Sequence, residues 1–459
     1  MAHAQKPTAS RCFPLLPPRL PRSVLAGALW LALPASAVPA ELDYQLGLSL
    51  LRSDNIALAS FNEKSETVVS PNARFEFQQR GPRVNANARG SVSYLEYLSN
   101  TFDNDVRGEL VGEMTWNVVP QRVDFVVNDY LNRQPVDVLT SFNPGNEQEV
   151  NVFIAGPTFH VRPRAGTRGQ LDLRYANSYA EDNKDFNGDH YNAAARLVRD
   201  TSATRSVSLN FETTRSEYRD NENDYTRNDA YVGYALALAS LELTATAGYS
   251  QLRLERDGTL GEPMASLGAG WTPTPRSRLT AVARTGFSNA VQDVVNRSTD
   301  LSGSILNEMS SNDVLVGPSA VRQHEAYFAY HFTGERVGFH VQPYYQRSRL
   351  ATDDAADPAD PADPDADLLA TRTNYGALVS VDYQVSPRST VTLLLAHDVN
   401  RYAALDRKDL GYIAAFGFAN RMSRHWSWRA NLQHRRRNSA VAGASYDENS
   451  VVLSIVYLR

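Results

Sequence analysis

Side chains able to do chemistry are few and dispersed. His160, His190, His324, His331, His340, His397, His425 and His434 are scattered along the chain. None falls in an H-E-x-x-H pair, no G-x-S-x-G turn occurs, and no cysteine pattern has metal-ligand spacing. His397 and Asp398 are adjacent, but neighbouring residues of a strand point to opposite faces, so they cannot serve one reacting atom. The one cysteine is Cys12. No catalytic residue, metal site or cofactor is therefore predicted. What stands out is arginine: of 46 basic residues only Lys6, Lys64, Lys184 and Lys408 are lysine. The guanidinium is a planar fork of donors suited to carboxylates and sugar hydroxyls. Arg74, Arg89, Arg174 and Arg429 alternate with apolar residues and share their face with Glu76, Asp172, Gln342 and Asn431. These eight are candidate pore-lining residues. They suit two readings equally: binding of a cargo, or arginine–carboxylate ladders that satisfy each other in a wet wall.

The elements that would position them are strands. Val69, Pro71, Ala73, Phe75 and Phe77 alternate with Ser70, Asn72, Arg74 and Glu76; after 78–82 the pattern resumes, with Val84 to Tyr94 on one face and Arg83 to Ser93 on the other. Side chains on a strand have period two, so one face needs water and the other hydrocarbon. Each run has about the ten residues a tilted strand needs to cross a bilayer. The unit recurs at Leu171–Tyr175, at Val337–Tyr345 and at Trp426–Leu432. A soluble β-sandwich also alternates.

Connections decide between the two. Tight turns fall at 79–83, 119–122, 162–169, 200–205, 239–241, 273–278, 334–336, 386–389 and 420–425. Many pair Pro, Gly or Ser with Arg, as turn chemistry prefers. Long polar stretches fall between them, at 53–66, 98–106, 132–149, 180–188, 217–227, 255–264, 288–320, 350–371, 402–408 and 436–445. Transmembrane barrels show this asymmetry, with short periplasmic turns and long extracellular loops. Nine hairpins plus a strand at each end predict an all-β, antiparallel up-and-down barrel of about 20 strands with both termini periplasmic. Eighteen stays open, because Val291–Leu301 could pair and the first strand could be too short. The aromatics Tyr94, Tyr97, Trp116, Tyr130, Tyr175, Tyr179, Trp271, Trp426 and Trp428 are expected in interfacial girdles. Arg435-Arg436-Arg437 is expected at an outer rim, facing an anionic surface or solvent.

Residues 1–40 read as a signal peptide. Lys6, Arg11, Arg19 and Arg22 precede an apolar run at 24–33 and two small-residue sites, so cleavage is expected after Ala37 or Ala40. The run is too short for a helical span. The barrel is expected to occupy 41–459 and to lie in the outer membrane of a Gram-negative bacterium, in contact with its lipid. Without 1–40 the chain keeps 42 of its 46 basic residues against 51 acidic ones, a formal charge of about −9, which argues against a nucleic-acid partner. Cys12 leaves with the signal, so neither a disulfide nor thiol chemistry is expected in the exported chain. Asp353 to Asp367 is an acidic low-complexity repeat, expected as a solvated outer loop; a calcium site would want glycine and glutamate at positions this spacing lacks.

Tyr44-Gln-Leu-Gly-Leu-Ser-Leu followed by Ser53-Asp54-Asn55-Ile56 resembles the start of the outer-membrane β-barrel porins associated with exopolysaccharide and exosortase (PEP-CTERM) operons. The resemblance implies a non-enzymatic conduit that secretes a polysaccharide cargo, working with a periplasmic export-machinery protein. A general or substrate-specific diffusion porin is the alternative, and a barrel enzyme acting on lipid or glycan a third. One departure is that Tyr457, the expected terminal aromatic, stands two residues before Arg459.

Overall fold

The computed structural model describes residues 40–219, 223–255, 258–300, 316–351 and 371–459. Residues 1–39 of the expected signal peptide, with Cys12, and the acidic repeat at 353–367 lie outside the described residues.

Twenty strands form one sheet, each antiparallel to its neighbours. The first, β1 (Ala40–Ser53), pairs with β2 (Glu66–Arg80) on one side and with the last, β20 (Tyr446–Leu458), on the other. The nine residue pairs from Gln45–Leu458 to Ser53–Ser450 close the sheet into a barrel. Closure matters because a lipid-facing sheet edge would leave backbone N–H and C=O groups with no partner.

Register carries the alternation around the wall. Tyr44, Leu46, Leu48 and Leu50 stand opposite Phe75, Ala73, Pro71 and Val69. Phe75 and Ala73 in turn stand opposite Gly90 and Val92 of β3 (Val84–Tyr97). The face they share is the outer one. Leu46, Phe211 and Leu432 on it remain 52%, 54% and 52% exposed. At ~25 cal/mol per Å2 of apolar surface, a continuous belt of such side chains is costly in water. The belt is the membrane-facing surface, and the protein is an outer-membrane barrel.

Nine connections at one end span only two to four residues. In the turn between β6 (Glu147–Arg164) and β7 (Thr167–Ala180), Gly166 takes φ +68°, a conformation open to glycine at little cost. Tyr44 and Arg459 exchange backbone hydrogen bonds at the same end (3.0 and 3.2 Å). The short-turn end is therefore the periplasmic one.

Two expectations need correction. The stretch 255–264 is not a loop: the strand Gly258–Thr274 takes most of it, with Leu260 opposite Leu252 and both buried. Its Gly- and Pro-containing start reads as turn, but Pro263 sits on the outer face within the strand. Residues Ala290–Asp300 form a helix, α1, and not a strand pair. Asn289 caps it, its Oδ1 accepting the Gln292 N–H at 2.8 Å. The barrel has 20 strands without using this segment.

Candidate functional site

Register places all eight candidate residues on the face opposite the apolar belt, toward the lumen. Glu76 stands opposite Arg89, and Arg74 opposite Ser91. Asp172 and Arg174 sit beside Thr158 in a closed network. The Thr158 hydroxyl donates to Asp172 at 2.6 Å, and Arg174 donates to Asp172 at 3.0 Å, to the Thr158 hydroxyl at 2.6 Å and to the Pro157 carbonyl at 2.8 Å. Gln342 shares a hydrogen bond with His340 (3.2 Å). Asn431 faces Gly417, where an added Cβ would meet its Oδ1 at 2.8 Å. Arg74 and Arg429 differ from this pattern: among the described residues the side chain of neither makes a hydrogen bond or an ion pair. The two sequence readings thus separate by residue. Arg174 is absorbed by the wall; Arg74 and Arg429 stay available.

The outer mouth shows what the sequence did not reveal. The pairing of β4 (Asp105–Val119) with β5 (Val123–Pro135) stops at Leu110–Leu131, while β5 stays paired with β6 through Pro135–Glu147. The end of this hairpin therefore leaves its β4 neighbour. Arg133 bridges Glu147 at 2.8 Å and Asp105 at 3.4 Å, and Arg107 reaches Glu147 at 3.2 Å, pinning the point of departure. Beyond it, the connection 136–146 braces itself: Asn146 accepts the Asp137 N–H and donates to the Asp137 carbonyl, both at 2.8 Å. The tip then meets β17 (Ser389–Tyr402) and β18 (Arg407–Arg421). The Tyr402 hydroxyl donates to the Val138 carbonyl at 3.2 Å, and Arg407 donates to the Leu139 carbonyl at 2.7 Å. Arg407 and Arg437 share the buried carboxylate Asp409, and Arg407 and Arg372 both lie over the Tyr402 ring. From β5 to β17 is eight strands around a ring of twenty, so the tip spans a chord of the opening.

A second chord comes from α1, which leaves β13 (Ser277–Ser288) and packs on the inner faces of β5 and β6. Val291, Val294 and Val295 meet Tyr130, Val150, Val152, Ile154 and Phe186. A lumen wall facing water would not carry this patch; the helix covers it, and Val150, Val152 and Val294 have no exposed surface. The capping pattern Ser288-Asn289 with Gln292 was the available sequence signal for this helix.

Two other expectations change. Tyr97 and Tyr130 are not girdle residues: they face inward and are buried, whereas Tyr94, Trp116, Tyr175, Tyr179, Trp271, Trp426 and Trp428 lie on the outer face. Of the arginine run on β19 (Trp426–Ser439), Arg435 and Arg437 turn inward to Glu448 (2.6 Å) and Asp409, and only Arg436 faces out. Ser53-Asp54-Asn55-Ile56 forms a clasp over the closing seam. Ser53 donates to Glu448 (2.7 Å), Asp54 accepts the Asn449 N–H (2.8 Å), and Asn55, fully buried, donates to the Ala59 and Asp447 carbonyls (2.8 and 2.9 Å). Ile56 packs on Val68 and Tyr97. That motif is structural.

His190 is buried between the Ser178 and Ser216 hydroxyls, at 3.0 Å from each, with Ser178 also donating to the Phe186 carbonyl. Both ring nitrogens are taken by hydroxyls of the neighbouring strands, so the trio holds three strands together. His397 stacks on Tyr412 at 4.5 Å on the outer face, while Asp398 points inward to Asn400.

Fold and lumen together define an outer-membrane β-barrel. No protein-family model matches the chain, and no curated protein matches it. Solved structures do. The siderophore receptor PirA from Pseudomonas aeruginosa is 10% identical with a TM-score of 0.43, over 91% of this chain and 80% of that one. The FrpB iron transporter from Neisseria meningitidis is 9% identical with a TM-score of 0.43, over 91% and 81%. The ferric enterobactin receptor PfeA of P. aeruginosa is 10% identical with a TM-score of 0.48, over 92% and 82%.

Proposed function

We propose that the protein is a gated, non-enzymatic conduit that carries an exopolysaccharide outward across the outer membrane. The observation that carries this reading is a polar, arginine- and asparagine-bearing inner wall whose outer mouth is crossed by the β5–β6 hairpin and α1. A wall of this kind suits a hydroxyl-rich chain, which needs many weak polar contacts and no deep apolar pocket. Two ordered segments across the mouth count against a permanently open diffusion porin. They suit a channel that opens when cargo or a periplasmic export-machinery protein arrives. The test is deletion of the gene. Surface polymer should disappear while small-solute uptake stays as in the parent; normal polymer on the deletant would reject the proposal.

A further inference from the structure

Charge is distributed unevenly along the barrel axis. Eight of the nine short turns carry arginine in the turn or at its flanking strand end, and none carries lysine. Some are spent on local pairs, as Arg168 on Asp200 (2.8 Å) and Arg276 on Glu335 (3.0 Å). A group around the closing seam is not. Arg80 ends β2, six residues from Arg74 on the same inner face, and Arg421 ends β18 opposite Ser427, two residues from Arg429. Among the described residues none of these four side chains makes a hydrogen bond or ion pair, and all four residues are exposed.

Between Arg429 and β2 the inner wall is low. Arg429 stands opposite Ser454, Ser454 opposite Ser49, and Ser49 opposite Ser70, with the Ser49 and Ser454 hydroxyls bonded to each other (2.9 Å). Ser70 ends this row on β2 and Arg74 stands four residues further along the same inner face, so Arg74 and Arg429 lie on either side of a shallow floor of hydroxyls. Asp43 and Glu76 are carboxylates on this face and stand opposite each other, but neither is within ion-pair distance of the four guanidinium groups. A guanidinium group with no carboxylate of its own to bridge is open to an anion supplied by a ligand.

We propose that Arg80, Arg421, Arg74 and Arg429 form an anion-binding track leading from the periplasmic mouth into the lumen, and that it takes a carboxylate-bearing polysaccharide such as a polyuronate. The inference rests on the conduit reading and names its cargo class. Arginine in place of lysine fits a planar carboxylate recognised by two parallel hydrogen bonds, and the serine floor fits the hydroxyls between successive carboxylates. Membrane phospholipid would reach Arg80 and Arg421 at the rim but not Arg74 and Arg429 within the barrel.

The test is equilibrium binding of a galacturonate hexamer to the detergent-solubilised full chain, with maltohexaose as the neutral probe. The native protein should bind the hexuronate at least tenfold more tightly than maltohexaose, and more weakly as salt rises. Arg74→Gln with Arg429→Gln should lose at least tenfold, while Arg74→Lys with Arg429→Lys should retain part of the affinity. Arg253→Gln, at the outer end of the barrel, should bind as the native chain does. Folding of each variant is checked by heat-modifiable gel mobility. Equal binding of both hexamers, or undiminished hexuronate binding by the glutamine pair, overturns the proposal. So does loss of co-purifying anionic phospholipid from Arg80→Gln with Arg421→Gln while hexuronate binding is untouched in every variant. Normal surface polymer in a deletion strain would reject the conduit and leave the binding result standing, so the two failures are distinguishable.

Discussion

At the short-turn end, strands are joined by two to four residues and the inner face stays polar and exposed. At the opposite end the inner face is packed. Three apolar clusters gather there, around Tyr130 and Val294, around Tyr218 and Tyr225, and around Ile56 and Tyr97. Buried ion pairs join them at Asp409 and Glu448. The same wall alternation runs through both ends, so alternation sets where the barrel meets lipid and says nothing about whether its bore is open. Openness is decided by what the connections do. Short turns have no length with which to cover the lumen; the longer ones at 136–146 and at α1 fold across it.

Changes at the outer end should therefore alter closure, and equivalent changes lower in the lumen should not. The largest effect is expected from Val294→Asp, which puts a carboxylate among Tyr130, Val150 and Phe186. An unpaired buried charge costs about 3 kcal/mol or more, enough to release α1. Antibiotics normally too large for the outer membrane should then enter cells, and resistance unchanged from the parent would break the comparison. Next comes Asn55→Ala at the seam, expected to cost about 1–3 kcal/mol because the Ala59 and Asp447 carbonyls lose their donor. Urea unfolding in lipid vesicles measures it. Tyr402→Phe removes one bond to the hairpin tip. At about 1 kcal/mol it should raise the ratio of open to closed channel roughly fivefold in single-channel records. Gln342→Ala, lower in the lumen, should change stability by less than about 0.5 kcal/mol and leave conductance as it was; a large shift there would show that both ends control passage.

Much of the wall was legible in the sequence because strand periodicity is local. Val69 to Phe77 announces its own two faces, and the nine Pro-, Gly-, Ser- and Arg-containing turns punctuate the strands. Placement of Arg74, Arg89, Asp172, Arg174 and Arg429 on the lumen face follows from the same parity. The mouth was not legible, since its contacts join residues far apart in the chain. Nothing near Leu139 indicates that its carbonyl accepts from Arg407, and Tyr97 and Tyr130 look like girdle aromatics until the inward-folded segments that bury them are in place. The helix α1 had a readable cap in Asn289 and Gln292, but a short apolar run such as Val291, Val294 and Val295 reads equally as strand. Ser53 to Ile56 drew notice for its resemblance, and its role in seam closure, through a buried asparagine and Glu448, becomes visible only when β1 and β20 are paired.

The central claim is that segments folded across the outer mouth, the hairpin tip among them, close an otherwise wet bore. Replacing residues 137–145 by a short glycine–serine turn removes the contacts of Val138 and Leu139 with Tyr402 and Arg407 without touching the wall. In planar bilayers the native protein should be predominantly closed and the replaced form should conduct steadily. A native protein already conducting as well as the replaced form would contradict the account.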